Sequence, residues 1–298
     1  MRIFLKWTLA ALCAVAMIQP ALAKQPEAPT DAPVESVITT QVDGSLTFGP
    51  TGEVESYQID ANVMEPIRLP LENAVRKWKF KPVLVDGVPR RAFTRIRVTL
   101  VAREAAGGYQ VKVDNVVFPT RKGDAITRVD GEAEPITGRR LGPPLYPFGL
   151  MKQGVGGIVL LAIRVDSEGK AAEVVAVQSM LFDVRGYPKT LHKAIQLLEK
   201  SSISAAKTWT FNVPPSSKPR TADDMTVTVP VEYVVDTRPP PPAGKWRTVV
   251  RVPKREIGWL KPAAGTQSVG VADAIAGEVI PLATSVALAT DVTGSELL

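Results

Sequence analysis

Two segments of the chain carry the same local pattern: Ala74-Val75-Arg76-Lys77-Trp78-Lys79-Phe80 and Ala205-Ala206-Lys207-Thr208-Trp209-Thr210-Phe211. Each runs alanine, small apolar residue, base, any residue, Trp, any residue, Phe, with a proline soon after at Pro82 and Pro214. A chain that twice ends a helix in a large aromatic pair must build that helix end into two cores. At 298 residues it has the length for two, since one core serves roughly 100 to 200 residues.

The flanks of both segments follow one plan. In the first, Leu46 and Phe48, a Pro50-Thr51-Gly52 turn and residues 54–59 read as a hairpin, with glycine supplying the dihedrals of the turn. Pro70 opens a helix whose stripe is Leu71, Ala74, Val75 and Trp78, and Pro82 stops it. Ile96, Val98 and Leu100 then alternate with Arg95, Arg97 and Thr99 as a further strand. In the second, residues 158–165, an Asp166-Ser167-Glu168-Gly169 turn and residues 172–179 form the hairpin. Leu191, Ile195 and Leu198 mark a helix with a break near Ser201-Ser202. Val227, Val229, Val231, Tyr233 and Val235 alternate with more polar positions in the last strand.

Turn glycine to Trp is 26 residues in the first copy and 40 in the second, so about 14 residues are added, placed by pattern around 182–200. The expected class is α+β: two small units, each a hairpin, a helix and one more antiparallel strand, spanning 44–104 and 141–236. Trp78, Phe80, Trp209 and Phe211 are expected to be core, because large aromatics chiefly supply buried area.

Outside the units, residues 1–23 show a charged start, an apolar run from Trp7 to Ile18 and an Ala21-Leu22-Ala23 cleavage site, which reads as an export signal. Residues 24–43 read as a tether and 105–140 as a linker with an extra strand over 109–118. Residues 237–298 read as a spacer at Pro239 to Pro242 and a tail, whose apolar stretch 272–292 is interrupted by Asp273, Glu278 and Asp291.

Composition narrows the function. The net charge of +6 falls to +4 without Arg2 and Lys6, and both signs are interspersed, which argues against nucleic acid. Basic residues gather between Arg76 and Arg103, either as a solvated strand face or as a surface for an acidic or envelope-surface partner. Cys13 lies in the signal, so no disulfide is expected. No phosphate loop, metal-ligand cluster or nucleophile elbow is present, and Asp223-Asp224 reads as loop acidity. The lone histidine, His192, is expected on a helix surface. An enzyme is not expected, nor any cofactor or metal.

Pro144-Leu145-Tyr146-Pro147, Gly154-Val155-Gly156-Gly157, the apolar strand, the Asp166 to Gly169 turn, 174–179, 205–211 and 227–233 together resemble the C-terminal domain of TonB, the periplasmic energy transducer. The first copy resembles it through its hairpin, its Trp-x-Phe segment and Val85-Asp86-Gly87-Val88-Pro89, as a degenerate unit. The resemblance implies a periplasmic protein that pairs with an extended segment of an outer-membrane receptor at a sheet edge. Envelope proteins are the implied partners, TonB-dependent receptors among them, with a homodimer through sheet edges as a further possibility. A soluble scaffold uncoupled from the proton-motive force is the alternative.

The residues point to the last strand as that edge. Pro230 lies inside it, and a proline that cannot donate to a ladder belongs at an edge. Thr226, Thr228, Pro230 and Glu232 are the candidate partner-binding residues, whereas Arg95 and Arg97 would blunt an edge in the first unit. Pro143, Pro144 and Tyr146 are either a second partner contact or a rigid lead-in to the first strand. If the signal is cleaved, intact-mass measurement of the native protein finds a periplasmic species lacking residues 1–23; full-length protein in the inner membrane would show an anchor instead.

Overall fold

Alternating β-branched and apolar residues produce long strands in both halves of the chain. The computed structural model describes residues 33–60, 63–119, 134–216, 219–235, 244–261, 267–275 and 277–298. The first half contains β1 (Glu35–Phe48), β2 (Val54–Ile59), α1 (Glu65–Val75), β3 (Val83–Val85), β4 (Val88–Arg90), β5 (Ala92–Ala105) and β6 (Gly108–Val117). Next come β7 (Thr137–Arg140), α2 (Phe148–Lys152), β8 (Gly157–Val165), β9 (Ala171–Phe182), α3 (Pro188–Ala206), β10 (Thr210–Asn212) and β11 (Thr226–Tyr233). The tail adds β12 (Arg247–Arg251), a 3-10 turn at Val271–Asp273 and β13 (Ile280–Pro281). The fold is α+β and dominated by sheet.

Nine strands form one antiparallel sheet in the order β13-β11-β8-β9-β12-β1-β5-β6, with β2 also on β1. In each half the strand after the helix pairs with the first strand of the hairpin: β5 lies on β1, with Val42 opposite Val98, and β11 lies on β8, with Val229 opposite Leu161. Strand β2 reaches β1 only from Gly44 onward, and β12 takes residues 35–39 of β1 on the same side. The other edge of β12 pairs with residues 180–182 of β9. The longer second copy is accounted for by β9, twelve residues against six in β2, and by α3, nineteen against eleven in α1.

Both helices cover the same face of the sheet. Ile67, Leu71 and Val75 of α1 pack on Val42, Leu46, Ile96 and Val98, and Leu191, Ile195 and Leu198 of α3 pack on Val159, Leu161, Ile163 and Val174. The opposite face, with Val37, Val101, Ile158, Leu160 and Val249, is covered by tail residues Val269, Val271, Ile280 and Leu282.

The repeated segments adopt the same backbone. Trp78 N–H donates to Val75 O and Trp209 N–H to Ala206 O, both at 3.0 Å, closing the helix ends. Two residues on, Phe80 N–H donates to Gly52 O at 2.8 Å and Phe211 N–H to Gly169 O at 2.7 Å, so each hairpin turn is bonded to its own Trp-x-Phe segment. Gly52 and Gly169 have φ of +84° and +79°, and a Cβ there would lie 1.9 Å and 2.3 Å from the Phe80 and Phe211 carbonyl oxygens. Trp78, Phe80, Trp209 and Phe211 are all buried, and Phe80 stacks on Phe48 at 4.6 Å.

Several expectations are corrected. Residues 35–43 belong to β1, so the tether over 24–43 ends nine residues early; 1–32 lie outside the described residues, as do 236–243 with the proline spacer. The first helix starts at Glu65 rather than Pro70, which sits within it, and Trp78 lies past its end. No break occurs at Ser201-Ser202: Ser202 Oγ bonds the Leu198 carbonyl at 2.8 Å within the helix, and its other contact is the buried Tyr233 hydroxyl at 2.8 Å. His192 is 4 % exposed, because α3 turns that position as well as Leu191 toward the sheet. Residues 108–117 are integral sheet, which makes β5 an interior strand and not the charged edge that Arg95 and Arg97 implied.

Gly52→Ala, Gly169→Ala and Gly87→Ala all place a side chain at positive φ and lose about 1 kcal/mol for that. Gly87 has open space around it, whereas the other two meet backbone. Urea unfolding is expected to show losses above about 3 kcal/mol for Gly52→Ala and Gly169→Ala only; equal losses at all three sites would remove the turn-to-Phe bond as a fold determinant.

Candidate strand-docking edge

Side chains of β11 alternate as a two-sided buried strand requires. Val227, Val229, Val231 and Tyr233 enter the α3 core, and Thr226, Thr228 and Pro230 are buried on the tail side. The backbone alternates too. Leu282 N–H donates to the Thr226 carbonyl at 3.4 Å, which places Thr226, Thr228, Pro230 and Glu232 with their backbone groups on the outer side, away from β8. Pro230 therefore lacks a donor on the side where β8 needs none.

The first half of this edge is occupied by the chain itself. β13 pairs Ile280 with Thr228 and Pro281 with Val227, and Thr228 Oγ1 donates to Ile280 O at 3.2 Å. Trp259 Nε1 also donates to Thr226 Oγ1 at 3.1 Å. Of the four predicted edge residues, Thr226 and Thr228 are thus covered by the tail, and only Pro230 and Glu232 extend beyond it among the described residues. Glu232 is half-buried, and burial raises its carboxyl above the ordinary range against the opposing charge of Arg247.

Of Pro143, Pro144 and Tyr146, it is Tyr146 that packs against the other end of β11, while Pro143 is exposed. Tyr146 meets the Tyr233 ring edge-on at 5.1 Å, and its hydroxyl donates to Val155 O at 2.8 Å. Trp209 Nε1 donates to Gly142 O at 2.7 Å, and Ser201 Oγ to Leu145 O. These contacts bind the lead-in to α3 and β11. Leu145 and Phe148 just after it are exposed.

A polar clamp holds the tail where it crosses the sheet. Arg97, fully buried, donates Nε to Asp43 Oδ1 at 2.7 Å, Nη2 to Asp43 Oδ2 at 3.2 Å, and Nη1 to the Asp273 carbonyl at 2.7 Å and Glu278 Oε2 at 3.3 Å. The Asp273 carboxyl is bonded by Thr99 Oγ1, Asn115 Nδ2 and Gly270 N–H, and burial pushes it above the usual carboxylate range. Nearby, Arg251 makes a two-pronged pair with Asp114 at 2.6 and 2.9 Å. Pattern reading missed both the clamp and β13, because their partners lie 52 to 181 residues away.

The basic residues between Arg76 and Arg103 divide on folding. Arg95 pairs with Asp60, Arg97 with Asp43 and Arg103 with Glu35, while Arg76, Lys77 and Lys81 are exposed. Asp224 caps a turn, accepting from Thr221 N–H at 2.8 Å. Among the described residues no group of three His, Cys, Asp or Glu is placed to hold a metal ion, and no helix is long and apolar enough to cross a membrane. Compared with known protein families, curated proteins and solved structures, the chain matches none.

Arg97→Met removes the buried guanidinium that bridges Asp43, Glu278 and the Asp273 carbonyl, and a stability loss of about 3 to 5 kcal/mol is expected in urea unfolding. Arg97→Lys restores charge without the fork and is expected to recover less than half of it. A loss below about 1 kcal/mol would show that the clamp does not anchor the tail.

Proposed function

We propose that the protein is an exported, non-enzymatic binding protein of the cell envelope, which takes up extended protein segments by strand addition at β11, in the manner of the TonB C-terminal family. The observation that carries this reading is the outer side of β11 at Pro230 and Glu232. There the described strand β13 has ended, and a proline that would break an interior ladder is harmless. A strand that runs on past β13, with exposed apolar side chains at Leu145 and Phe148 in the lead-in whose Tyr146 packs on Tyr233, fits an extended peptide better than a small molecule.

The shared hairpin, helix and strand connectivity of residues 44–104 and 141–236 supports two TonB-C-terminal-like units, the first degenerate and the second the binder. TonB-dependent outer-membrane receptors are the proposed partners, and no cofactor takes part. Coupling to the proton-motive force requires residues 1–23 to stay in the inner membrane as an anchor.

A second reading, a soluble periplasmic scaffold, is favoured by the tail. Residues 287–289 pair with the Lys79-Phe80 segment, and residues 294–298 bond to β6, closing edges that a homodimer would otherwise use. Photo-crosslinking from position 232 in the native host separates the two. A receptor cross-linked through its extended segment supports transduction, and another envelope protein supports the scaffold. Yield no higher than from an exposed control such as position 87 would remove β11 as the binding edge.

A further inference from the structure

The tail strand on β11 shows what kind of segment the edge accepts. Ile280 and Leu282 are two residues apart, each 3 % exposed, and both enter the cluster formed by Ile158, Leu160, Val249 and Val271. Their backbone groups face β11, since Leu282 N–H reaches Thr226 O and Ile280 O accepts from Thr228 Oγ1. Pro281 between them pairs with Val227, whose backbone groups point to β8, so Pro281 faces away and needs no donor. The sockets thus take apolar side chains at alternate positions and leave the residue between them unconstrained.

On β11 this resident strand makes a ladder of only two residue pairs, with a terminal bond as long as 3.4 Å. Its other side is bonded by Gln267, whose N–H donates to Leu282 O at 2.9 Å and whose Nε2 donates to Pro281 O at 2.8 Å. Before it, Asp273 is fixed by the clamp; after it, Ala287 O accepts from Lys81 N–H at 2.8 Å and Ala289 N–H donates to Lys79 O at 2.7 Å. Gly277, at φ +83° with nothing near its Cβ position, lies between the clamp and the strand. Residues 279–282 can therefore leave the edge by breaking this short ladder and the two Gln267 bonds, while Asp273 and Glu278 stay on the clamp and residues 287–289 stay docked.

We infer that β11 binds an extended segment bearing apolar side chains at alternate positions, and that this segment enters by exchange with the chain's own residues 279–282. The inference rests on the strand-addition reading and adds to it the chemistry of the guest and an intramolecular competitor. A tethered strand competes at an effective concentration on the order of millimolar, so the guest must outbid it by fit over a longer stretch of edge, toward Pro230 and Glu232. The edge is in this way closed to weak or short sequences.

The test uses the full chain carrying Cys13→Ser, Val227→Cys and Pro281→Cys. These two positions are directly opposite, and an antiparallel pair of this kind falls within the Cα separations a disulfide spans. The probe is a labelled peptide with the sequence of residues 277–285, followed by fluorescence anisotropy up to about 1 mM. The reduced protein is expected to bind it with half-saturation on the order of the millimolar effective concentration of the tethered strand and the oxidised protein at least tenfold more weakly, while a peptide with Asp in place of both Ile280 and Leu282 binds neither. Equal binding by the two redox forms, or none by the reduced form, overturns the exchange. Should the cysteine variant not fold, amide exchange in the unaltered chain decides: excess peptide is expected to speed exchange at Leu282, and an unchanged rate overturns the inference. A receptor cross-linked equally well to the locked form would also sink exchange while leaving strand binding intact. Peptide exchange without any envelope partner would uphold exchange and sink the receptor reading.

Discussion

Strand β12 makes one sheet out of what would otherwise be two. Strand β1 presents residues 35–39 because β2 is too short to reach them, and β9, paired with β8 along one side up to Leu181, presents residues 180–182 on its other side. A single five-residue strand satisfies both rows of backbone groups, with Val249 and Val250 entering the cores on opposite faces. Buried backbone groups left unpaired are costly, so an edge on either side of this seam would need another cover. The short reach of β2 along β1, together with the side of β9 that faces away from β8, is what creates the slot.

The same tail that supplies β12 also carries the polar clamp and β13. Face alternation explains how. On β1 and β5 the side chains opposite the helices are Thr39, Gln41, Asp43, Arg97 and Thr99, a polar strip that needs partners once covered. The tail meets it with backbone carbonyls and acids: Gln41 reaches Ala272 and Ala274 carbonyls, and Arg97 reaches Asp273 and Glu278. Tail placement, sheet closure and occupancy of the β11 edge are therefore parts of one arrangement.

Local pattern was a good guide where structure is local. The Trp-x-Phe aromatics are buried, the two turn glycines have positive φ, and Pro230 turns its missing donor away from β8 on a stretch of β11 that β13 does not reach, all consequences of steric and hydrogen-bonding rules that act within a few residues. The tail was opaque because Val249 or Ile280 in isolation carries no sign of the strand it will join. The error about Arg95 and Arg97 has the same origin: β6, which makes β5 interior, follows a Gly107-Gly108 turn that reads equally well as a linker. His192 was misplaced because a nineteen-residue helix against a wide sheet buries a broader stripe than the three-residue pattern marked.

The seam also sets an order of events during synthesis. Glu35 lies opposite Arg251, and their side chains bond across 216 residues of chain. Both hairpins and both helices can form as the chain emerges, yet the row of open backbone groups on β1 waits until some five-sixths of the polypeptide exists. Long-range pairing of this kind slows folding and leaves an uncapped strand available to neighbours in the interval. The nascent chain is thus exposed to wrong pairing at residues 35–39 from the completion of the first half until β12 emerges, and a chaperone that shields β1 would serve it over that interval.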